Sequence, residues 1–189
     1  MNPVEQLKNE YESIAGYLEN TQQISLLSDL NKNFRKVLLL SAGSYFEHRI
    51  TSILSEFVRA KSNDERIISF LEKQAISGKY HQLFSWGSKD KPDEPGKNAN
   101  TFFKLFGEDF KKNIDVELKI SNTEDAAAKE KQEKITSSIE AFIEVGHLRN
   151  ILVHSNFADY NYDQKTTDEI FQLFQKAEPF IEYLQEKLN

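Results

Sequence analysis

A short segment late in the chain combines three polar side chains of different chemistry. In GHLRNILVH, from Gly146 to His154, Arg149, Asn150 and His154 interrupt a stretch that is otherwise mostly apolar. An imidazole exchanges protons near neutral pH, and a permanently charged guanidinium offers a planar set of donors to phosphate oxygens. Arg149 and His154 could therefore promote attack on a phosphate ester without a metal ion or a cysteine nucleophile.

Helical periodicity sets limits on how these side chains can cooperate. Residues 135–154 predict a helix whose apolar stripe consists of Ile135, Ile139, Phe142, Val145, Leu148 and Leu152. Arg149 falls inside this stripe, whereas His147, Asn150 and His154 share a neighbouring one. Arg149 and His154 differ by about 140° around an ideal helix. Only a cleft or a partner chain would bring both to one substrate.

Each of these residues also has an ordinary structural explanation. Arg149 could form an ion pair with an acid such as Glu47, because charges near a core are usually paired. His154 could interact with the free carbonyl groups at the end of a helix. If the whole motif were structural, replacing Arg149 by methionine would cost little stability or increase it.

The sequence resembles the HEPN superfamily, and within it the RiboL-PSP-type HEPN proteins. The specific part of the resemblance is the arginine, the polar residue and the histidine of Arg149-Asn150-Ile151-Leu152-Val153-His154. The stretch from Ala42 to Ile50, which includes Glu47, and the aromatic segments YHQLFSW and FFKLFGEDF match more loosely. The helix order is similar over most of the chain.

This resemblance implies an all-α, up-and-down helical bundle that forms a homodimer, with two motifs facing each other across a cleft. It implies that Arg149 and His154 are catalytic, that Asn150 orients them, and that Glu47 supports the site from a central helix. Arg49 and His147 have no counterpart in the family pattern, and we consider them as possible RNA contacts.

The implied activity is that of a metal-independent endoribonuclease. RNA carries its own nucleophile, the 2′-hydroxyl, so neither a metal nor a cofactor is expected, and the products would be 2′,3′-cyclic phosphate and 5′-hydroxyl ends. The family suggests a toxin or an antiviral defence nuclease silenced by an antitoxin or other inhibitory partner protein. The alternatives are a non-catalytic HEPN module that binds RNA, a nucleotide or a protein partner, and a purely structural helical protein.

Composition is consistent with a single domain of 189 residues in the cytoplasm. The chain has no cysteine, which excludes disulfides and thiolate zinc sites, and its amino-terminal residues do not resemble a signal peptide. The longest apolar run is Val37 to Leu40, too short for a membrane span. The net charge of −6 argues against broad attraction to nucleic acid, although residues 32–61 are locally basic and residues 159–189 locally acidic.

The elements that must position the motif are predicted to be helices. Apolar spacing predicts helices over 3–20, from a cap at Asp29 to about residue 61, from Asn63 or Asp64 to 77–78, and from beyond Ser121 to about His154. Thr166 to Glu169 predicts a capping box for a last helix, which Pro179 should bend. Residues 87–100 contain two prolines and few apolar side chains and predict a mobile inserted loop, closed at its base by the flanking aromatic clusters.

Overall fold

The computed structural model describes residues 1–62, 64–73, 79–119, 125–155, 157–158, 160–162 and 164–189. Over these residues the chain is an all-α helical bundle, as predicted. The helices are α1 (Pro3–Asn20), α2 (Ile24–Ser62), α3 (Glu65–Leu71), α4 (Tyr80–Leu83), α5 (Asn100–Lys104), α6 (Glu108–Glu117), α7 (Ala126–His154) and α8 (Thr167–Leu188). Helix α8 packs against α7 and α2, and α1 packs against α2.

Four of the described helices begin at a residue whose side chain caps them. Asn2 caps α1 and Thr166 caps α8, each in a capping box with a glutamate three residues later. Asp64 caps α3, and Asp125 caps α7 by accepting from the Ala127 amide. The predicted ends at 77–78 and 121–124 lie outside the described residues.

Helix α2 begins earlier than predicted. The sequence suggested a cap at Asp29, but the helix begins at Ile24, and the Leu27 amide already donates to the Gln23 carbonyl at 3.0 Å. Ile24 and Leu26 in this first part are exposed. Because these turns bury no regular apolar stripe, periodicity could not reveal them.

The centre of the bundle is an aromatic cluster contributed by three helices. Phe46 of α2 stacks on Phe174 of α8 at 5.2 Å between ring centroids and meets Phe142 of α7 edge-on at 5.5 Å. Phe142 also lies 4.9 Å from Phe180 of α8. All four rings are almost fully buried. Such packing fixes α7, which carries the candidate motif, relative to α2, which carries Glu47.

Several contacts attach the base of the inserted loop to the rest of the bundle. Gly87 and Pro95 form an isolated antiparallel bridge, and the Gly96 amide donates to the Trp86 carbonyl at 2.7 Å. Trp86 is buried, and its indole nitrogen donates to the His81 carbonyl at 2.9 Å. The expected aromatic closure at the base is present, since Phe84 stacks on Phe102 at 4.6 Å. The loop has few apolar side chains to bury, so these contacts at its base attach it to the rest of the protein.

Pro179 is accommodated inside α8 by a side chain from α7. The buried Ser138 hydroxyl donates to the Ala177 carbonyl at 3.1 Å and accepts from the Phe180 amide at 2.7 Å. Proline cannot donate a backbone hydrogen bond, so backbone groups near it need other partners. Ser138 thus joins α7 to α8 where Pro179 interrupts the backbone hydrogen bonds of α8.

Replacing Ser138 by alanine should lower the free energy of unfolding by about 1–3 kcal/mol, because a buried amide and a buried carbonyl lose a partner. Urea denaturation followed by circular dichroism would measure this. Ser137→Ala, one residue away in the same helix, is the matched control and should change stability little. Equal effects of the two substitutions would contradict this role for Ser138.

None of the described helices is long and apolar enough to cross a membrane.

Candidate active site

Arg149 lies between α7 and α2 because α2 has a glycine at the crossing point. A Cβ atom built on Gly43 would lie 3.0 Å from Arg149 Cγ and 3.5 Å from Arg149 Cβ. Any larger residue at position 43 would therefore displace the arginine stem. The stem lies along the apolar surface of α2, and the charged end remains partly exposed, as is common for arginine beside a core.

Glu47, one turn after Gly43 on α2, faces the arginine. The distance from Arg149 Nη2 to Glu47 Oε2 is 3.9 Å, and the two side chains are 26% and 37% exposed. This separation exceeds that of a hydrogen bond and leaves the guanidinium donors available to another anion. The loose pair orients Arg149 without neutralising it in a closed, buried bridge.

Asn150 is the second polar residue of the motif in contact with the guanidinium. Its Oδ1 atom accepts from Arg149 Nη1 at 3.3 Å, and its side chain is partly buried. Arg149 is therefore held from two sides, by Glu47 across the helix interface and by its own neighbour in sequence.

His154 is exposed at the last position of α7. The helix ends directly after it, where Ser155 adopts an extended conformation and its hydroxyl donates to the Ile151 carbonyl at 2.8 Å. No hydrogen bond or ion pair joins the imidazole to any residue that the structure describes. Arg149 faces α2 and His154 faces solvent, and no hydrogen bond joins the two side chains in the part of the chain that the structure describes.

Tyr80 belongs to the same neighbourhood, although sequence spacing does not indicate it. Burial raises the pKa of the Tyr80 phenol well above its ordinary value; the Glu47 carboxylate raises it further, and the Arg149 guanidinium lowers it. Its ring lies 5.5 Å from that of Trp86. The sequence indicates Tyr80 only as a member of an aromatic cluster, because no spacing rule connects α4 with α2 and α7.

His147, considered above as a possible RNA contact, has little surface to offer a substrate. The side chain is 7% exposed, and Nε2 lies 3.1 Å from the Asp93 carbonyl oxygen of the inserted loop. His147 and His154 lie on the same face of α7, but the inserted loop covers that face only at His147 and does not cover His154. His147 attaches the loop to α7.

Arg49 is also separated from the motif. Its Nη2 atom lies 3.4 Å from Gln185 Oε1 of α8, whereas Glu47 on the same helix faces α7. Two residues along a helix are about 200° apart, so the two side chains point in nearly opposite directions. An RNA contact by Arg49 would have to lie on a different face from Arg149.

Among the residues that the structure describes, no group of three or more histidine, aspartate or glutamate side chains is placed to hold a metal ion. The side chains that the structure brings together are Glu47, Arg149 and Asn150, with Tyr80 nearby and His154 exposed at the end of the same helix. The fold and these residues together define a HEPN-type helical bundle with an Arg-Asn-x3-His motif.

Comparison with known proteins agrees with this class. The family model described as RiboL-PSP-HEPN matches residues 5–189, so the chain belongs to the RiboL-PSP-HEPN family. HEPN domains are commonly ribonucleases or have other RNA-related functions. No curated protein and no solved structure matches the chain.

Proposed function

We propose that this protein is a metal-independent endoribonuclease whose active site contains Arg149, Asn150 and His154, with Glu47 as a positioning residue. The observation that carries the proposal is the contrast within one motif. Arg149 is oriented by Glu47 and Asn150 but keeps donors free, while His154 is exposed and free to meet a substrate.

The reaction needs no nucleophile from the protein. The imidazole of His154 takes the proton of the 2′-hydroxyl, and the 2′-oxygen attacks the adjacent phosphorus. The bond from phosphorus to the 5′-oxygen breaks, and this oxygen receives a proton from the protonated imidazole of His154, in the same chain or in the partner. The products are a 2′,3′-cyclic phosphate and a 5′-hydroxyl.

Arg149 stabilises the charge that develops during this attack. Negative charge builds on the non-bridging phosphate oxygens, and a protonated guanidinium donates to them in the planar geometry that phosphate favours. Glu47 and Asn150 fix the direction of the guanidinium beforehand, which reduces the reorganisation required in the transition state.

The site is completed by a second copy of the chain. Arg149 faces α2 and His154 faces solvent, about 140° apart on the helix, so His154 of a partner would approach Arg149 more easily than the His154 of the same chain. In a two-fold homodimer each motif would then contribute to a shared cleft. An exposed Val153 beside His154, 48% accessible, gives this face some apolar surface for such contact.

The test is incubation of purified protein with total RNA in EDTA, followed by analysis of the new ends. Cleavage that persists in EDTA and leaves 2′,3′-cyclic phosphates and 5′-hydroxyls is the expected result. A requirement for magnesium together with 5′-phosphate ends would overturn the mechanism.

The second candidate is a non-catalytic HEPN module that binds RNA, a nucleotide or a protein partner. It is favoured by the net charge of −6 and by the different orientations of Arg149, which faces α2, and His154, which faces solvent. RNA binding by the wild type without any cleavage, and without loss of binding in the His154→Ala variant, would favour this module.

The cellular role that goes with the proposed nuclease is that of a cytoplasmic toxin or antiviral defence enzyme held inactive by an inhibitory partner protein. The family resemblance supports this role. Growth arrest on expression of the wild type, relieved by His154→Ala or by co-expression of a protein encoded beside it, is the expected observation.

A further inference from the structure

A polar groove lies between the inserted loop and helices α5 and α6. It has a volume of about 510 Å³ and is lined by residues of the loop, of α5 and of α6. Every charged side chain in its lining is a lysine: Lys89, Lys97, Lys104 and Lys111. The remaining lining residues are hydroxyl and amide side chains and glycines, so the groove offers positive charge and hydrogen-bonding groups together.

This charge distribution differs from that of the whole chain. The protein carries −6 overall, and the loop segment 87–100 balances three lysines against Asp90, Asp93 and Glu94. These three carboxylates do not line the groove. Glu94 instead pairs with Lys91 at 2.7 Å. The fold therefore separates the charges and presents only the positive ones to the groove, which makes it a focus for anions.

The lysines are available to an outside anion to different degrees. Lys89 and Lys97 form no ion pair with any residue that the structure describes, and both are exposed. Lys104 lies 3.6 Å from Glu108 in an exposed pair four residues apart on the chain, and Lys111 pairs with Asp115. The Lys104 pair is exposed and contributes little stability, so phosphate oxygens can replace the Glu108 carboxylate at small cost, whereas Lys111 is partly buried in its pair with Asp115.

The loop that lines the groove contacts α7, the helix that carries the candidate motif. The Asp93 carbonyl oxygen of the loop lies 3.1 Å from His147 Nε2, and a Cβ atom built on Gly96 would lie 3.3 Å from Ile143 Cγ2. His147 and His154 are seven residues apart, which places them on one helix face about 10 Å apart along the axis. The loop thus ends where the exposed face with His154 begins.

We propose that this lysine groove binds the backbone phosphates of the single-stranded RNA whose linkage is cleaved at the motif. The inference rests on the proposed function, because RNA is its substrate. Lysine acts as a point charge toward phosphate and reads no base, so the groove would add affinity without sequence preference. A single strand is the form whose linkage can rotate to align the 2′-oxygen with the leaving 5′-oxygen.

The test measures binding of a fluorescein-labelled single-stranded oligouridylate to the His154→Ala protein by anisotropy at several salt concentrations. In that background we compare the groove variant K89Q/K97Q/K104Q with the control K129Q/K134Q/K176Q, which removes the same charge from exposed positions on α7 and α8. The groove variant should bind about tenfold or more weakly at low salt, and the slope of log K against log salt should fall by about 2 for three lost phosphate contacts. The control should bind nearly as the parent does.

The outcomes separate this proposal from the proposed function. Equal weakening by the two triple variants, or no weakening by the groove variant, would overturn the groove while cleavage by the wild type still supports the enzyme. A groove-dependent loss of binding in a protein whose wild type never cleaves RNA would support the groove and overturn the nuclease. Circular dichroism of both triple variants controls for folding.

Discussion

Replacing His154 by alanine is expected to slow RNA cleavage by about 10²–10⁴-fold, the usual contribution of a general acid or base. Stability should change little, because the side chain is exposed at the end of α7 and has no partner among the described residues. Initial rates on a defined oligonucleotide in EDTA measure the first effect, and urea denaturation measures the second. Loss of activity with an unchanged unfolding transition is the signature of a chemical role.

The matched control for this substitution is His48→Ala. His48 is an exposed histidine on α2 that lies outside the motif, so the variant should cleave at the wild-type rate. If both histidine variants lose activity equally, or if His154→Ala retains full activity, His154 does not transfer the proton.

The His154→Ala variant, combined with the Arg149→Ala variant, also tests whether the active site is shared between two chains. Arg149→Ala and His154→Ala proteins should each be inactive alone, but a mixed dimer would retain one intact site that combines Arg149 of one chain with His154 of the other. Mixing the two after mild denaturation and refolding should therefore restore part of the wild-type activity. No recovery, in a mixture shown to form heterodimers, would argue against a composite site.

Replacing Gly146 by alanine should cause a large loss of stability. A Cβ atom at this position would lie 2.1 Å from Trp86 Cε3 and 2.1 Å from Trp86 Cζ3. The indole is buried and held by its hydrogen bond to His81, so it cannot move aside easily. The overlap should cost about 1–3 kcal/mol or more, which outweighs the gain of up to about 1 kcal/mol for alanine over glycine in a helix.

Replacing Gly16 by alanine should have the opposite effect and increase stability. Gly16 also lies inside a helix, α1, but a Cβ atom there would have no neighbour within 4 Å. This substitution should increase the free energy of unfolding by about 0.5–1 kcal/mol. Thermal or urea unfolding of the two variants side by side would check the pair, and a stabilising Gly146→Ala would show that Trp86 is not held in place against α7.

A third variant shows whether the loss of stability in Gly146→Ala comes from the overlap with Trp86 or from any side chain at position 146. In Trp86→Ala protein the space above Gly146 is empty, so adding Gly146→Ala should cost less than it does in the wild type. The difference is the coupling energy of a double-mutant cycle. Equal costs in the two backgrounds would contradict direct contact between the two residues.

The amino-acid sequence by itself determined the helical class, the bounds of α1, the ends of α2 and α7, the starts of α3 and α8, and the identity of the motif, whereas α4, α5 and α6 were not predicted as helices. Apolar spacing identifies α1, most of α2 and α7 because their buried faces repeat with the period of the helix. The caps at Asp64 and Thr166 act within a few residues, and the capping box at Thr166 predicts α8. The family pattern around Arg149 and His154 is likewise local. It required no knowledge of what lies across the interface.

Only the tertiary structure decided which polar residues share a surface. His147 and His154 lie on the same face of α7, two turns apart. The inserted loop nevertheless buries His147 and leaves His154 exposed. Tyr80 approaches Glu47 and Arg149 from a short helix far away in sequence, and the lysine groove joins residues from a loop and two helices. Periodicity fixes angles within one helix, whereas these relations depend on how separate elements pack, which is why sequence spacing could not reveal them.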